Sequence, residues 1–419
     1  MKKNNSNTHK ELLKASSIVI LGSGAVHIAN YLFTIVIAKY SSPTNLAEIT
    51  SLISLITLIG FPTSVITLYT AKLYANNQST PNTNNIIKQI LQASLLLTTI
   101  LLLTSRGAGN LLTVNQQAIR IVIIALPLMA LTSIYKGVLQ GKKKFHLFSA
   151  INIAESLTKI IFTIILLKLF PPIIAVAGAL SMSNLTAYLL SKTTAPTEKA
   201  QKNTSHISES KTNTLTQHSE ILPIAISSLL ILTLINIDLI LAKAVLPNIE
   251  AGTYAALATL GKIITYGAPS ASASMLPFIV QDEHNTQAQQ KTLYITLAIT
   301  LVIIGIFSTA KTIWPQAIIT ILLSTKYLII TPYIPTIILI TSMWAIITVF
   351  TTFFIAQKKY NFTYYFGIIL TIEIVTIILL PHTINTILNI LLYSAFTLSI
   401  VMAKLALYPQ KRIHENPIL

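Results

Sequence analysis

Apolar stretches of roughly twenty residues recur along the whole chain, separated by short polar segments. A helix needs about 20 apolar residues to cross a bilayer. On that measure the pattern predicts spans over about 16–39, 48–74, 86–104, 118–140, 145–169, 172–191, 220–243, 252–280, 291–310, 331–357, 361–380 and 384–407. The stretch 313–330 is also apolar but is broken by Trp314, Pro315 and Lys326, so it reads as a re-entrant or surface helix. The longest polar connection, 192–219, is rich in Ser, Thr, Asn and Lys and reads as a flexible cytoplasmic linker. It divides the chain into an N-terminal bundle of six helices (1–191) and a C-terminal bundle of six (220–419). The expected fold class is an all-α integral membrane protein of about twelve transmembrane helices.

Composition supports lipid as the solvent. Of the 419 residues 53% are hydrophobic and only 10% charged, with mean hydropathy +0.70. Soluble domains carry about 25% charged residues. No region remains for a separate soluble domain.

Charge then orients the spans. The formal net charge of +17 would suggest nucleic acid in a soluble protein, but here the basic residues cluster in short loops. Of the 29 Lys and Arg, Lys39, Arg106, Arg120, Lys168, Lys243, Lys311 and Lys326 fall on one side and Lys159 and Lys262 inside spans. All the others, Lys136 among them, fall on the opposite side, a positive-inside bias that places both termini in the cytoplasm. Nucleic acid is therefore not an expected partner. The basic start, MKKNNSNTHKELLKAS, lacks a small-residue cleavage pattern and reads as a cytoplasmic tail. Cysteine is absent, which excludes disulfides and Cys-based metal or redox sites.

The halves echo each other. IVIAKYSSPTNLAEI from Ile35 aligns with LILAKAVLPNIEAGTY from Leu239, matching Ala38 with Ala242, Lys39 with Lys243, Pro43 with Pro247 and Ala47 with Ala251. LQGKKKF (139–145) and AQKKYNF (356–362) close the fourth span of each half. Six spans per half make this a parallel repeat, related by an axis along the membrane normal. Transporters so built place substrate between the halves and rock them.

Three segments carry a family resemblance: LGSGAVHIANYLFTIVIAKY near the start, LPLMALTSIYKGVLQGKKKFHLFSAINIAESLTKIIF (126–162) and INIDLILAKAVLPNIEAGTYAALATLGKI (235–263). With Lys326-Tyr327 before the tenth span, they make the chain resemble polysaccharide or O-antigen flippases of the multidrug/oligosaccharidyl-lipid/polysaccharide exporter superfamily. Ala47-Glu48 departs from the Gly-containing turn common there, whereas Ala251-Gly252 keeps it. The resemblance implies a V-shaped pair of six-helix bundles around a central cavity. It implies translocation of a polyprenyl-diphosphate-linked oligosaccharide to the outer leaflet of a bacterial cytoplasmic membrane, for surface polysaccharide or lipopolysaccharide synthesis, alongside polymerase machinery. It further implies a sodium ion or a proton as coupling ion and no other cofactor, with Asp238 on the seventh span and Glu373 on the eleventh loosely matching acids that bind a cation in some relatives.

Ionisable groups inside a span cost about 2.5–3.5 kcal/mol each on insertion scales and are functional candidates by default. Asp238 and Glu373 lie at broadly similar depth and read either as a coupling site or as an acid paired with Lys243 or Lys262. Lys262 near mid-membrane reads as a cation for a diphosphate or as Asp238's partner. Glu155 and Lys159, four apart on the fifth span, share a face and are expected to neutralise each other, with exchange onto substrate as the second reading. Arg120 either snorkels to the outer interface or lines the cavity mouth. His27 and Asn30 read as packing groups, and Asn152, Asn184 and Asn236 as interhelical hydrogen-bonding groups. Gly22 and Gly24 suit close packing or bending, and Pro62, Pro127, Pro223, Pro269 and Pro277 suit kinks. LQGKKKF is a cytoplasmic turn, or a contact for anionic membrane lipid or the substrate diphosphate.

Enzyme motifs are missing: no P-loop, no metalloprotease spacing, and no outer loop long enough for a catalytic domain. The expected class is a transporter without a metal site. Three functions compete: a lipid-linked oligosaccharide flippase, an ion-coupled small-molecule or multidrug exporter, and a membrane polymerase or ligase acting on the same lipid. The last would need a long periplasmic loop with functional Arg or His, and none is present.

Overall fold

The computed structural model describes residues 2–75, 83–195, 214–281 and 285–407, and every regular element among them is helical. The helices are α1 (Lys2–Tyr40), α2 (Pro43–Ile59), α3 (Phe61–Ala75), α4 (Thr83–Leu112), α5 (Gln116–Ile124), α6 (Leu126–Gly141), α7 (Phe145–Leu166), α8 (Pro172–Thr194), α9 (Thr214–Val245), α10 (Asn248–Gln281), α11 (Thr286–Ile313), α12 (Pro315–Leu322), α13 (Ile334–Ala356), α14 (Phe362–Leu379) and α15 (Ile384–Leu407). A 3₁₀ segment, Thr325–Tyr333, precedes α13. Helix is the form lipid demands, since every backbone N–H and C=O must be satisfied internally. The many Ser and Thr residues comply by donating to their own helix, as Thr50 does to the Leu46 carbonyl (2.8 Å) and Thr341 to that of Ile337 (2.7 Å).

Eleven segments are long and apolar enough to span a membrane. The twelfth crossing is α10, 34 residues long and rich in Ala, Gly, Ser and Thr. It packs against α1, α2, α9, α11, α13 and α15. A helix enclosed by protein needs no lipid-facing apolar surface, and small residues let its neighbours approach. At Gly261 a Cβ would lie 2.6 Å from Thr341 of α13.

Two of the twelve spans are built from paired helices. The second breaks at Gly60, just before Pro62, and the fourth at Ala125, just before Pro127. Pro223 lies within α9, and Pro269 and Pro277 lie within α10 without ending it. The stretch 313–330 is too short to cross. It forms α12 and most of the 3₁₀ segment, with Trp314, Ile321 and Ile329 exposed. Most of the linker, 196–213, and the C-terminal residues 408–419 lie outside the described residues.

The repeat is visible as packing. In the first half, span two meets span four (α3 with α6), one meets five (α1 with α7), and six meets five and four (α8 with α7 and α6). In the second, span eight meets ten (α10 with α13), seven meets eleven (α9 with α14), and twelve meets eleven and ten (α15 with α14 and α13). The echoing turns also share one backbone form. Lys143 and Lys358 both have φ 57°, and each turn closes as a Schellman motif through Lys143 N to Gln140 O with Lys144 N to Leu139 O, and Lys358 N to Ile355 O with Lys359 N to Phe354 O. The halves meet chiefly through α1 and α2 against α9 and α10, and one apolar core runs across that seam, including Ile37, Leu46 and Ile49 with Leu239, Tyr254 and Leu257.

Candidate functional site

Among the described residues, the sequence-predicted charges fall into two polar clusters within the membrane-spanning helices, one in each half. In the C-terminal half four spans converge. Asp238 comes from α9, Tyr254 from α10, Glu373 from α14 and Ser394 from α15. The Tyr254 hydroxyl donates to Asp238 Oδ2 at 2.6 Å and the Ser394 hydroxyl to Glu373 Oε2 at 2.9 Å. Glu373 and Tyr254 are fully buried. Asp238 Oδ1 and Glu373 Oε1 are buried without a hydrogen-bond partner. Each carboxyl group thus has one oxygen held by a hydroxyl from another helix and one that no other helix bonds, and the two groups are near enough to interact electrostatically. Buried polar atoms are nearly always satisfied, so two carboxyl oxygens without a partner from a neighbouring helix single this cluster out as the candidate site.

Lys262 does not close this account. It lines a cavity of about 40 Å³ together with Asp238, Thr265, Thr341 and Trp344, but forms no ion pair with the acid. Roughly 10–15 Å³ suffices for one water, so the cavity has room for water or a small cation between them. Lys243, the other proposed partner, donates to Asn248 Oδ1 at 2.6 Å.

The N-terminal half resolves its charges internally, though not as the sequence suggested. Glu155 is paired with Lys136 of α6 at 2.5 Å, and Lys159 instead donates to Asn30 Oδ1 of α1 at 2.6 Å. The Lys159 ammonium also sits 4.6 Å from the centre of the Phe33 ring, a cation–π contact. The spacing of Glu155 and Lys159 put them on one face correctly. It carried no information about α6, where Lys136 lies within the fourth span and not in the cytoplasmic loop expected for it. Its neighbours LPLMALTSIYKGVLQG, apolar on both sides, are the signal that places it there.

Arg120 is exposed on α5 and its Nε donates to Ser105 of α4 at 3.3 Å. The four candidate substrate residues therefore divide: Lys159 and Glu155 in the N-terminal cluster, Lys262 beside Asp238, and Arg120 on a separate contact. Asn184 and Asn236 bond the carbonyls of Leu180 and Leu232 in their own helices (2.9 and 2.8 Å), a correction to their reading as interhelical links. Gly22 meets its reading, since a Cβ there would lie 2.5 Å from Ser149 of α7, whereas Gly24 faces open space. Glu48, at the unusual Ala47-Glu48 turn, accepts from the Asn115 backbone N–H at 2.6 Å and so ties α2 to the start of α5. Gly137 and Gly141, to which the sequence analysis gives no packing role, form a G-x-x-x-G contact: Cβ atoms there would lie 2.7 Å from Thr67 O and 2.5 Å from Ala71 O of α3. Their spacing of four was the available signal.

Polysaccharide biosynthesis proteins match the chain over residues 12–283. Among curated proteins none matches it. Several solved structures share its fold. An inward-facing multidrug resistance MATE family transporter of the MOP superfamily has a TM-score of 0.71 at 10% identity, covering 93% of this chain and 97% of the other. The lipid II flippase MurJ in an inward closed conformation has a TM-score of 0.68 at 16% identity, covering 93% and 87%. A MOP superfamily transporter from Pyrococcus furiosus has a TM-score of 0.63 at 12% identity, covering 95% and 94%. The chain, a multi-pass membrane protein with the twelve-helix fold of MOP-superfamily transporters, belongs to the polysaccharide biosynthesis protein family.

Proposed function

We propose that this protein moves a polyprenyl-diphosphate-linked oligosaccharide across the bacterial cytoplasmic membrane by alternating access of its two halves, 1–191 and 220–419. Both termini then face the cytoplasm, and the flipped lipid is handed to polysaccharide polymerase machinery outside. The observation that carries the flippase reading is the polysaccharide biosynthesis family match over residues 12–283, and the pair of buried carboxyl groups, Asp238 and Glu373, bonded to Tyr254 and Ser394 across four spans of one half, supports ion coupling. They supply a place for a sodium ion or a proton, whose binding biases one arrangement of the halves over the other. Family membership supports a substrate of polysaccharide biosynthesis. Substrate binding falls to the cations: Lys159, which has no acid bonded to it, and Lys262, with Arg120 at the mouth and Glu155 as the exchangeable partner of Lys136. Each acts on a diphosphate as a point charge or donor.

An apolar cleft of about 460 Å³ between α3, α4 and α9 supports a lipid cargo. It is lined by Val65, Ile66, Tyr69, Ile90, Ile221 and Leu222, and so opens at the seam between the halves near their cytoplasmic ends.

The second reading, an ion-coupled exporter of cationic small molecules, is favoured by the same acids and by the fold shared with the MATE transporter. One experiment separates the two. In a strain that makes a surface polysaccharide and has no paralogue, deletion of the gene is expected to accumulate lipid-linked repeat units at the inner leaflet. Normal export without the protein would reject the flippase. Drug sensitivity without accumulation would select the exporter.

A further inference from the structure

Lys326 and Tyr327 lie in the 3₁₀ segment before α13 and take no part in either polar cluster. Their partners belong to the other half. Lys326 Nζ donates to the backbone carbonyls of Ser41 (2.6 Å) and Lys39 (3.2 Å), and the Tyr327 hydroxyl donates to the same Ser41 carbonyl at 3.3 Å. The Lys326 ammonium lies 5.2 Å from the centre of the Tyr327 ring, and Tyr327 is buried, so the lysine stands on a fixed platform. The last carbonyls of a helix have no intrahelical partner and carry the negative end of its dipole. A cation from the second half thus caps the C-terminal end of α1.

The repeat makes a counterpart of this contact. Thr113, just before the fourth span of the first half, donates to the carbonyl of Lys243 at the end of α9 (3.4 Å). Lys39 and Lys243 are matched residues of the repeat. In each half, the segment before the fourth span therefore touches the end of the first span of the other half. The halves also pack backbone to backbone at this end: a Cβ on Gly252 of α10 would collide with the Pro43 carbonyl at the start of α2. All of these groups sit at one end of the spans, the end opposite the positively charged loops.

We propose that Lys326 and Tyr327 are the principal latch of the external gate, holding the halves together at their outer ends by capping α1. This rests on the alternating-access reading but not on the identity of the cargo. The latch breaks when the halves separate outside, and water then replaces the protein donors at Lys39 and Ser41.

The absence of native cysteine makes the test direct. Ala38, buried just behind the latch, is replaced by Cys as the sole thiol, and an impermeant maleimide is added to the outer face of intact cells. Ile249→Cys, exposed on the outer side, normalises the rate, and Ala395→Cys, buried within α15, reports general loosening. Loss of a charge-assisted hydrogen bond predicts that Lys326→Met raises labelling at position 38 about tenfold. Tyr327→Phe should raise it less, and Lys326→Arg should keep most of the protection. Position 395 stays unlabelled throughout. Unchanged labelling at position 38 in both Lys326→Met and Tyr327→Phe overturns the latch, as does parallel labelling at 395. Should Lys326→Met fail to accumulate in the membrane, Tyr327→Phe decides alone. Accumulation of lipid-linked repeat units is scored separately, so a working latch with a different cargo is distinguishable from no latch.

Discussion

The two halves solve the same problem of buried charge in opposite ways. The N-terminal cluster is closed: Lys136 meets Glu155, and Lys159 meets Asn30 and Phe33. The C-terminal cluster is open: Asp238 and Glu373 each keep one oxygen unpartnered, and Lys262 shares a cavity with Asp238 without bonding it. Since the halves repeat the same packing of spans, the difference does not come from architecture. It comes from a handful of side chains on a common frame. In the proposed division of labour, the side with unpartnered acceptors takes the small cation, and Lys159, which has no acid bonded to it, takes the anionic group.

The most forceful way to break this contrast is to neutralise each side. Asp238→Asn and Glu373→Gln should each lower export about 10–100-fold, the range of a typical coupling energy, with the protein still in the membrane. The residual export should lose its dependence on the sodium or proton gradient. Lys159→Ala should lower export while leaving the gradient dependence intact. Equal loss of gradient dependence in all three would dissolve the division of labour.

Stability gives the next largest effect. Glu155→Ala leaves the Lys136 ammonium without its acid and is expected to cost about 3 kcal/mol, read as a lowered unfolding midpoint in detergent. That figure is the low end of the range for a buried pair, because this pair is partly exposed. Lys136→Met with Glu155→Met together should recover most of the loss. A double variant no better than the singles would show that the pair is not the unit.

The frame itself is tested by Gly137→Val and Gly261→Val, which put a side chain into the α3–α6 and α10–α13 contacts. Each should cost about 1–3 kcal/mol by overpacking. Gly137 should be the more sensitive, because its Cβ meets backbone as well as a side chain, whereas Gly261 meets side chains only. The smallest effect belongs to the echoing turns. Lys143→Gly and Lys358→Gly relieve a left-handed lysine and should each stabilise by about 1 kcal/mol, equally in both halves. A gain confined to one turn would argue against their equivalence.

Much of this was legible in advance. The spans, the six-plus-six layout and the internal repeat follow from hydropathy and matched segments, because lipid imposes a single local rule on every helix. Asp238 and Glu373 stood out because an acid in an apolar run is costly wherever it lies. Partnership was less legible. Periodicity put Glu155 beside Lys159 on one helix, but the neighbouring helix supplied Lys136. Tyr254 and Ser394 looked like ordinary residues of small-residue and apolar helices until their hydroxyls were seen against the acids. Lys326-Tyr327 was visible as a motif, but its target, the end of α1, lies more than 280 positions away.

The amino-acid order by itself therefore determined that the chain lives in lipid, how often it crosses, which residues are buried charges and that one half echoes the other. Each of these depends on the side chain and its immediate neighbours in sequence. Only the tertiary structure decided which charges meet a partner on another helix and which do not, and what Lys326 and Tyr327 bond to. Those outcomes depend on a hydrogen bond or ion pair reaching across a few ångströms between helices distant in sequence, and no periodicity encodes that distance.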